Sequence, residues 1–477
     1  MHNKEIDKMA PNNRAVVQQE FERALGEIQA RVSTSDSNAA AGAIAIAYSG
    51  GLDSTVLLHL AHAYAKTRHI SVFAFHVHHG LSPHADTWQA HCREQCRVMD
   101  VPFDAREVEV GNQQKSGIEE AARLKRYAAL GAMCNAHQVP LLLTAHHQDD
   151  QAETVLLQLL RGSGVAGLSG MDSVNHAPDL LGDASLMMGR PLLNLTRDQL
   201  ESYVSQNDLS FVEDESNRDP RYARNALRHQ VMPILQQYFP GFQQRFSRTA
   251  QHAQSAQQLL ITLAAQDLAT CLEGTSLLVS KLQSFNDERI DNMLRYWFGV
   301  RGMRMPSTSW LKEMRSQLLE AKHDAQLCVT HADCHIRRHR DRVFITSRDD
   351  VAAEEIDALT FQWDGSAAMH FPRFGGTLYF DVVEAGLNAT TLRNQTLTLQ
   401  LRSGGERLKL ALNRPTKSLK YHYQAFDVPA WERLRLPLLF SGKTLLFAAG
   451  IGIDCHALSH QPAEDKQLNL RWEFDVK

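Results

Sequence analysis

A chain of 477 residues with 43% hydrophobic and 22% charged residues has the composition of a globular protein of about three domains. Its net charge of −4 supplies no global cationic field, so a polyanionic partner must be met by local patches. No apolar run approaches the roughly 20 residues of a membrane span and the first 25 residues lack an apolar secretory core, so the cytoplasm is the expected location.

The N-terminal residues Val17, Phe21, Leu25, Ile28 and Val32 recur at helical spacing and predict a packed lead-in helix. Strand and helix patterns then alternate. Strands are predicted at Ala43–Tyr48, Ile70–His78, Val108–Val110 and Pro140–Leu143. Helices are predicted at Asp53–Lys66, His84–Asp100, Gly117–His137 and Gln148–Arg161. This alternation argues for βαβ units, an α/β doubly wound fold and a mostly parallel sheet. Ligands of such sheets bind beyond the carboxyl ends of the strands, which puts Ser49 and His146 on one rim. Further helices are expected at Asp198–Asn207 and Arg224–Gln237, and Tyr238-Phe-Pro-Gly241 reads as a break between domains. A mainly helical stretch follows from Phe242, then a small strand pair at Cys328–Ser347, an acidic linker and a strand-rich unit ending at Lys477.

Seven cysteines show no C-x-x-C pair, and the nearest pair is Cys92 and Cys96. With His91 they could form half of a metal site, but small buried residues on a helix in a reducing compartment account for them better.

The segment Ser49-Gly50-Gly51-Leu52-Asp53-Ser54 joins an apolar strand to an amphipathic helix. Its glycines allow positive φ and close approach of a ligand, and the first N–H groups of the helix point at an anion. The serine hydroxyls add donors, and a carboxylate beside phosphates implies a bridging Mg²⁺ at Asp53. No Walker A loop or G-x-G-x-x-G is present. The loop resembles the signature of the PP-loop ATP pyrophosphatases, which split ATP into AMP and pyrophosphate.

The second motif is Thr144-Ala-His-His-Gln-Asp-Asp-Gln-Ala-Glu-Thr154. If the helix already runs at His146, then His146, Asp150 and Glu153 share one face and can hold a cation or position and deprotonate an amine. Arg123 and Arg126 lie near the start of an earlier helix and are candidates for phosphate, or for pairing with Glu119 and Glu120.

Together these motifs, with HVHHGL at 76–81, EAARLKRY at 120–127, RPLL at 190–193, DESNRD at 214–219 and Arg224-Asn-x-x-Arg228, resemble the tRNA(Ile)-lysidine synthases over about residues 43–235. The likeness resumes at Arg402-Ser-Gly-Gly-Glu406 and Lys417-Ser-Leu-Lys420, as in the long form of that family. Tyr421-His-Tyr-Gln424 and the first 40 residues depart from the expected pattern.

The resemblance implies a helical extension (1–40), a PP-loop catalytic domain (41–237), a helical tRNA-binding domain (242–348) and a strand-rich tRNA-binding domain (356–477). It implies ATP and Mg²⁺, free L-lysine, and isoleucine tRNA with a CAU anticodon as partners; a homodimer is a further possibility. In the implied reaction the wobble cytidine is adenylated and lysine then displaces AMP.

The loop 49–54 and Arg123 are expected to bind ATP. Asp53, His146, Asp150 and Glu153 are expected to be catalytic, with Asp150 and Glu153 holding the lysine ammonium groups and His146 near the adenylate; which of the last three is the base stays open. Basic clusters containing Arg218, Arg221, Arg224 and Arg228, with Tyr222 and Arg245 and Arg248 nearby, and Arg402, Arg407, Lys409, Arg414, Lys417 and Lys420, are expected to grip tRNA. A PP-loop tRNA thiolation enzyme and a non-catalytic ATP-sensing RNA-binding protein are the competing readings.

Overall fold

The computed structural model describes residues 13–35, 42–78, 80, 82–108, 118–213, 223–321, 327–348, 356–458 and 466–475. The chain divides into two compact units, residues 1–260 and 261–477.

The first unit opens with α1 (Asn13–Ser35), whose Val17, Phe21, Leu25, Ile28 and Val32 stripe is buried, as its spacing predicts. Burial of each such side chain contributes roughly 2 kcal/mol before entropy. The βα series continues with β1 (Ala43–Ala47), α2 (Leu52–Arg68), β2 (Ser71–His78), α3 (Ala85–Val98), β3 (Phe103–Glu107), α4 (Ile118–Ala136), β4 (Leu141–Leu143) and α5 (Gln148–Leu160). Next come α6 (Val165–Leu168), β5 (Val174–His176), α7 (Pro178–Leu181), β6 (Met187–Gly189) and α8 (Arg197–Gln206).

The six strands form one sheet in the order β3-β2-β1-β4-β6-β5, in which only the β5–β6 pair is antiparallel. Alternation sorts the side chains to two faces. Ile44, Ile46, Leu141 and Leu143 join α1, α2, α3 and α8 in one core, whereas Ala45 and Leu142 join α4 and α7 in the other. Helices on both faces make the sheet doubly wound, as expected. Strand order reverses between β1 and β4, so the loops after these two strands flank the crevice where such sheets bind ligands.

The third strand is displaced from its expected position. β3 covers Phe103–Glu107, and its FDARE sequence is nowhere fully buried. As an edge strand it lacks the apolar run that drew attention to Val108–Val110, of which 109 and 110 lie outside the described residues. The single helix expected at Arg224–Gln237 is also broken, into α9 (Ala223–Ala226), a π-helical turn (Leu227–Val231) and α10 (Met232–Tyr238). After Tyr238-Phe-Pro-Gly241 comes α11 (Phe242–Cys271), and the division between the compact units falls inside this helix.

The second unit contains β7 (Leu272–Glu273), β8 (Ser276–Leu278), α12 (Val279–Leu282), α13 (Asp287–Val300), α14 (Thr308–Glu320), β9 (Cys328–Thr330), β10 (Cys334–His339) and β11 (Arg342–Ser347). Strands β7 to β11 form one antiparallel sheet. From residue 356 onward two further sheets of five and four strands share a core that includes Trp363, Leu397, Leu438 and Leu470. A two-stranded ribbon, β12 (Arg407–Leu408) with β13 (Lys417–Ser418), leads into α15 (Leu419–Ala425). Two of the four unfamiliar residues face inward, with His422 Nε2 2.9 Å from Leu408 O and Tyr423 Oη donating to Ala449 O, while Tyr421 and Gln424 are exposed. No described helix is long and apolar enough to cross a membrane.

Close packing makes one glycine decisive. A Cβ at Gly131 of α4 would stand 2.0 Å from Leu181 O in α7. Gly131→Ala should therefore force these helices apart and lower unfolding stability by about 3 kcal/mol, measured by urea denaturation.

Candidate active site

The loop after β1 turns at Gly50, whose φ is +84°. Any Cβ there would meet Cys92 Sγ at 2.7 Å, so the loop rests directly on α3. Burial pushes the Cys92 and Cys96 thiols up to about 12, which keeps them protonated and suits a packing role better than metal ligation. Only Gly50 takes the left-handed conformation. Gly51 is extended (φ −71°) and caps α2, so the expectation of positive φ at both glycines is corrected.

Ser54 Oγ donates to Gly51 O at 3.0 Å and lies 3.0 Å from Ser49 Oγ. The N–H groups of Leu52, Asp53 and Ser54 form the first turn of α2, the end of a helix that favours anions.

The loop after β4 supplies the facing wall. Helix α5 begins at Gln148 with His147 as its N-cap, so His146 stands before the helix and does not continue its face. The expected single-face alignment of His146, Asp150 and Glu153 is corrected accordingly. His146 Nδ1 lies 2.9 Å from Thr144 Oγ1, and that hydroxyl donates to Gly189 O at 3.4 Å. With its proton so engaged, Thr144 accepts from Nδ1–H and leaves Nε2 as the unprotonated nitrogen. Burial, reinforced by Arg190, Arg224 and Arg123 against the opposing Asp150, brings the His146 pKa down to about 3. The ring is neutral throughout the physiological range.

His147 has the opposite electrostatic setting. Its Nε2 lies 3.4 Å from Asp150 and 3.8 Å from Asp53, and its Nδ1 is 3.6 Å from Asp149. Burial opposes its charge, but these carboxylates outweigh burial and raise its pKa. The same run of residues contained His147, yet reading it by helical phase singled out His146 and passed over its neighbour.

Asp53 is partly exposed. Both its oxygens accept from Arg197 Nη1 at 2.7 Å, and burial raises its pKa against the pull of His147 and Arg197. Arg197 also donates through Nε to Glu201, and its backbone N–H donates to Asp149. No motif pointed to Arg197, which stands just after the capping residue Thr196 of α8.

Glu153 is 0% exposed. Arg224 Nε donates to one of its oxygens at 2.8 Å, and Arg228 Nε donates to the other at 2.6 Å. Arg228 Nη2 reaches Asp150 at 2.9 Å, and the surrounding charges, against burial, hold the Asp150 carboxyl far below its usual range. Asp150 and Glu153 therefore face arginines. Arg224 and Arg228, expected on a tRNA-gripping surface, pair with these acids and stay about one-third exposed.

A cavity of about 920 Å³ lies between the two loops. Ser49, Leu52, Asp53, Ser54, His146, His147, Asp149, Glu153, Arg197 and Arg228 all contribute to its wall, so the rim that Ser49 and His146 were expected to share at the carboxyl ends of the strands is present. Arg126, not Arg123, lines it; Arg123 is exposed beside the Tyr127 ring and acts on His146 through space.

Arg218, Arg221 and Tyr222 lie outside the described residues. In the second unit Arg407 and Lys417 belong to the ribbon strands, with Arg407 donating to Thr416 O and Lys417 Nζ 5.2 Å from the centre of the Tyr421 ring. Lys420 is exposed, while Arg402 is tucked between Glu406 at 3.9 Å and the Tyr423 ring.

The raised His147 pKa contributes stability that is complete below the unfolded value of about 6.5 and is lost as pH rises through the folded value. In urea unfolding the stability difference between wild type and His147→Gln should narrow from pH 6 to pH 9.

Comparison with known proteins matches residues 17–235 to a family model described as a PP-loop domain. Residues 277–344 match a TilS substrate binding domain, and residues 397–472 match a TilS substrate C-terminal domain. The chain is 42% identical over 464 residues to the tRNA(Ile)-lysidine synthase of Burkholderia pseudomallei, covering 91% of this chain and 94% of that one. It is 39% identical to the enzyme of the same name from Ralstonia nicotianae (87% and 90% covered) and 37% identical to that of Coxiella burnetii (93% and 94% covered). With three family domains in order and this identity over nearly its whole length, the chain belongs to the tRNA(Ile)-lysidine synthase family.

Proposed function

We propose that this chain joins lysine to C2 of the wobble cytidine of isoleucine tRNA with a CAU anticodon, at the expense of ATP. The observation that carries the reading is that the Ser49–Ser54 loop and His146 line one cavity at the switch point of the sheet. In the first step the cytidine O2 bonds to the α-phosphorus, and the bond to the β-phosphate breaks to release pyrophosphate. In the second the lysine ε-amine bonds to C2 and loses a proton, and AMP departs with the former O2.

The first-turn N–H groups of α2 and the hydroxyls of Ser49 and Ser54 face the phosphates; one preorganised donor of this kind contributes roughly 3 kcal/mol to a transition state. The oxygen donors of Asp53 fit a Mg²⁺ ion shared with the phosphates, the usual way this cation is held. Bound there, it would offset the charge that develops on the leaving pyrophosphate. Arg126 lies on the cavity wall, where its guanidinium can meet phosphate oxygens.

His146 is the residue best suited to take the proton from lysine. Its Nε2 is unprotonated, its neutral ring does not repel an amine, and an arriving phosphate would offset the arginines that, after burial, lower its basicity. Asp150 and Glu153 act chiefly by holding Arg224 and Arg228. The tRNA is met by the two later family domains, where Arg407, Lys417 and Lys420 supply exposed or half-exposed cations. Cytoplasmic location fits this chemistry, and a homodimer stays part of the proposal.

Within the same superfamily, a thiolation enzyme would need a sulfur-handling cysteine at the site. Among the described residues no cysteine lines the cavity.

Incubation of the protein with labelled lysine, ATP, Mg²⁺ and a transcript of the isoleucine tRNA should give stable, ATP-dependent labelling of the RNA. Asp53→Ala should reduce the rate at least 100-fold. Pyrophosphate release without lysine transfer would refute the second step, and absence of both would refute the enzyme.

A further inference from the structure

The carboxylate best placed to hold Mg²⁺ is already occupied by a side chain. Arg197 Nη1 donates to both oxygens of Asp53 at 2.7 Å, and Nε is held by Glu201 at 2.9 Å, so the guanidinium lies across the cavity wall. A Mg²⁺ ion at its usual distance of about 2.1 Å from an Asp53 oxygen would sit within about 5 Å of that nitrogen. The two cations repel in a site partly shielded from water, where charge interactions are several-fold stronger than in bulk.

The geometry points to Arg197 as a gate on the metal: it keeps a bare divalent cation off Asp53 and releases the carboxylate only when nucleotide phosphates arrive. This inference rests on the assignment of the metal to Asp53 made above. The triphosphate brings enough negative charge to satisfy both cations, so Asp53 passes to the metal and the guanidinium passes to phosphate oxygens. Glu201 keeps Arg197 on the cavity wall during the exchange, and the capping of α8 by Thr196 fixes the backbone from which it reaches. Arg197 is thus a positioning residue before the nucleotide binds and a phosphate ligand afterwards. The consequence is ordered loading: metal enters with nucleotide, and the empty site does not fill with cation.

The test is equilibrium binding of Mn²⁺, counted by electron paramagnetic resonance, to the full-length protein with and without the non-hydrolysable α,β-methylene analogue of ATP. Wild type should bind Mn²⁺ at least ten-fold more tightly when the analogue is present. Arg197→Met should bind Mn²⁺ alone at least ten-fold more tightly than wild type does, and should bind inorganic pyrophosphate at least ten-fold more weakly. Arg197→Lys, which keeps the charge, should exclude Mn²⁺ as wild type does. Arg197→Gln repeats the comparison if the methionine variant fails to fold. An unchanged Mn²⁺ affinity in the folded, uncharged variants overturns the gate. In Asp53→Asn the analogue-dependent Mn²⁺ should disappear; if it persists, the assignment of the metal to Asp53 fails, and the gate fails with it.

Discussion

The site depends on a carboxylate with no access to water. Glu153 lies on the second turn of α5, and its two oxygens are taken by Arg224 and Arg228, which belong to a different, irregular helical segment. Removing one partner from such a cluster leaves a buried charge uncompensated, which costs about 3–5 kcal/mol. The pairing ties the catalytic loop after β4 to the segment 223–231 and places Arg228 beside Asp150 on the cavity wall. The π-helical turn that contains Arg228 departs from regular geometry at this point, a deviation that often accompanies functional sites. Phe242 and Met232 pack on Ala152 one residue before Glu153, so an apolar contact backs the ionic one.

Around this anchor the charges alternate. Asp53 faces Arg197 and His147, His147 faces Asp149 and Asp150, and Asp150 faces Arg228. Each ion thus has a protein partner before any substrate binds. In the proposed exchange, phosphate would replace carboxylate beside an arginine and metal would replace arginine beside Asp53. The neighbouring histidines differ by environment alone: burial and arginines hold one ring neutral, and three acids hold the next toward its charged form.

The loop 49–54, the lead-in helix and the strand–helix alternation around the site were legible because each is a local pattern: an apolar run, a glycine pair, a helical stripe. What escaped depended on contacts distant in sequence. Arg197 meets Asp53 across 144 positions, and Arg224 and Arg228 meet Glu153 across more than 70, so no local pattern disclosed these pairings. His147 was missed because α5 starts two residues later than the phase reading required, which turns His146 out of the helix and His147 into its cap. The edge strand β3 was misplaced because neither face of it is buried enough to leave an apolar signature. In the departing stretch 421–424, His422 and Tyr423 are core residues of the C-terminal unit, a role that short motifs do not reveal.

The central claim is that the two loops divide the reaction, activation on the Ser49–Ser54 side and proton removal on the His146 side. The most direct measurement is a rapid-quench experiment on His146→Ala with ATP labelled at the α-phosphate, the isoleucine tRNA and lysine. The account predicts near-normal pyrophosphate release, accumulation of adenylated tRNA, and lysine transfer slowed at least 100-fold. Loss of pyrophosphate release in step with lysine transfer would show that His146 serves the first reaction, contradicting the division.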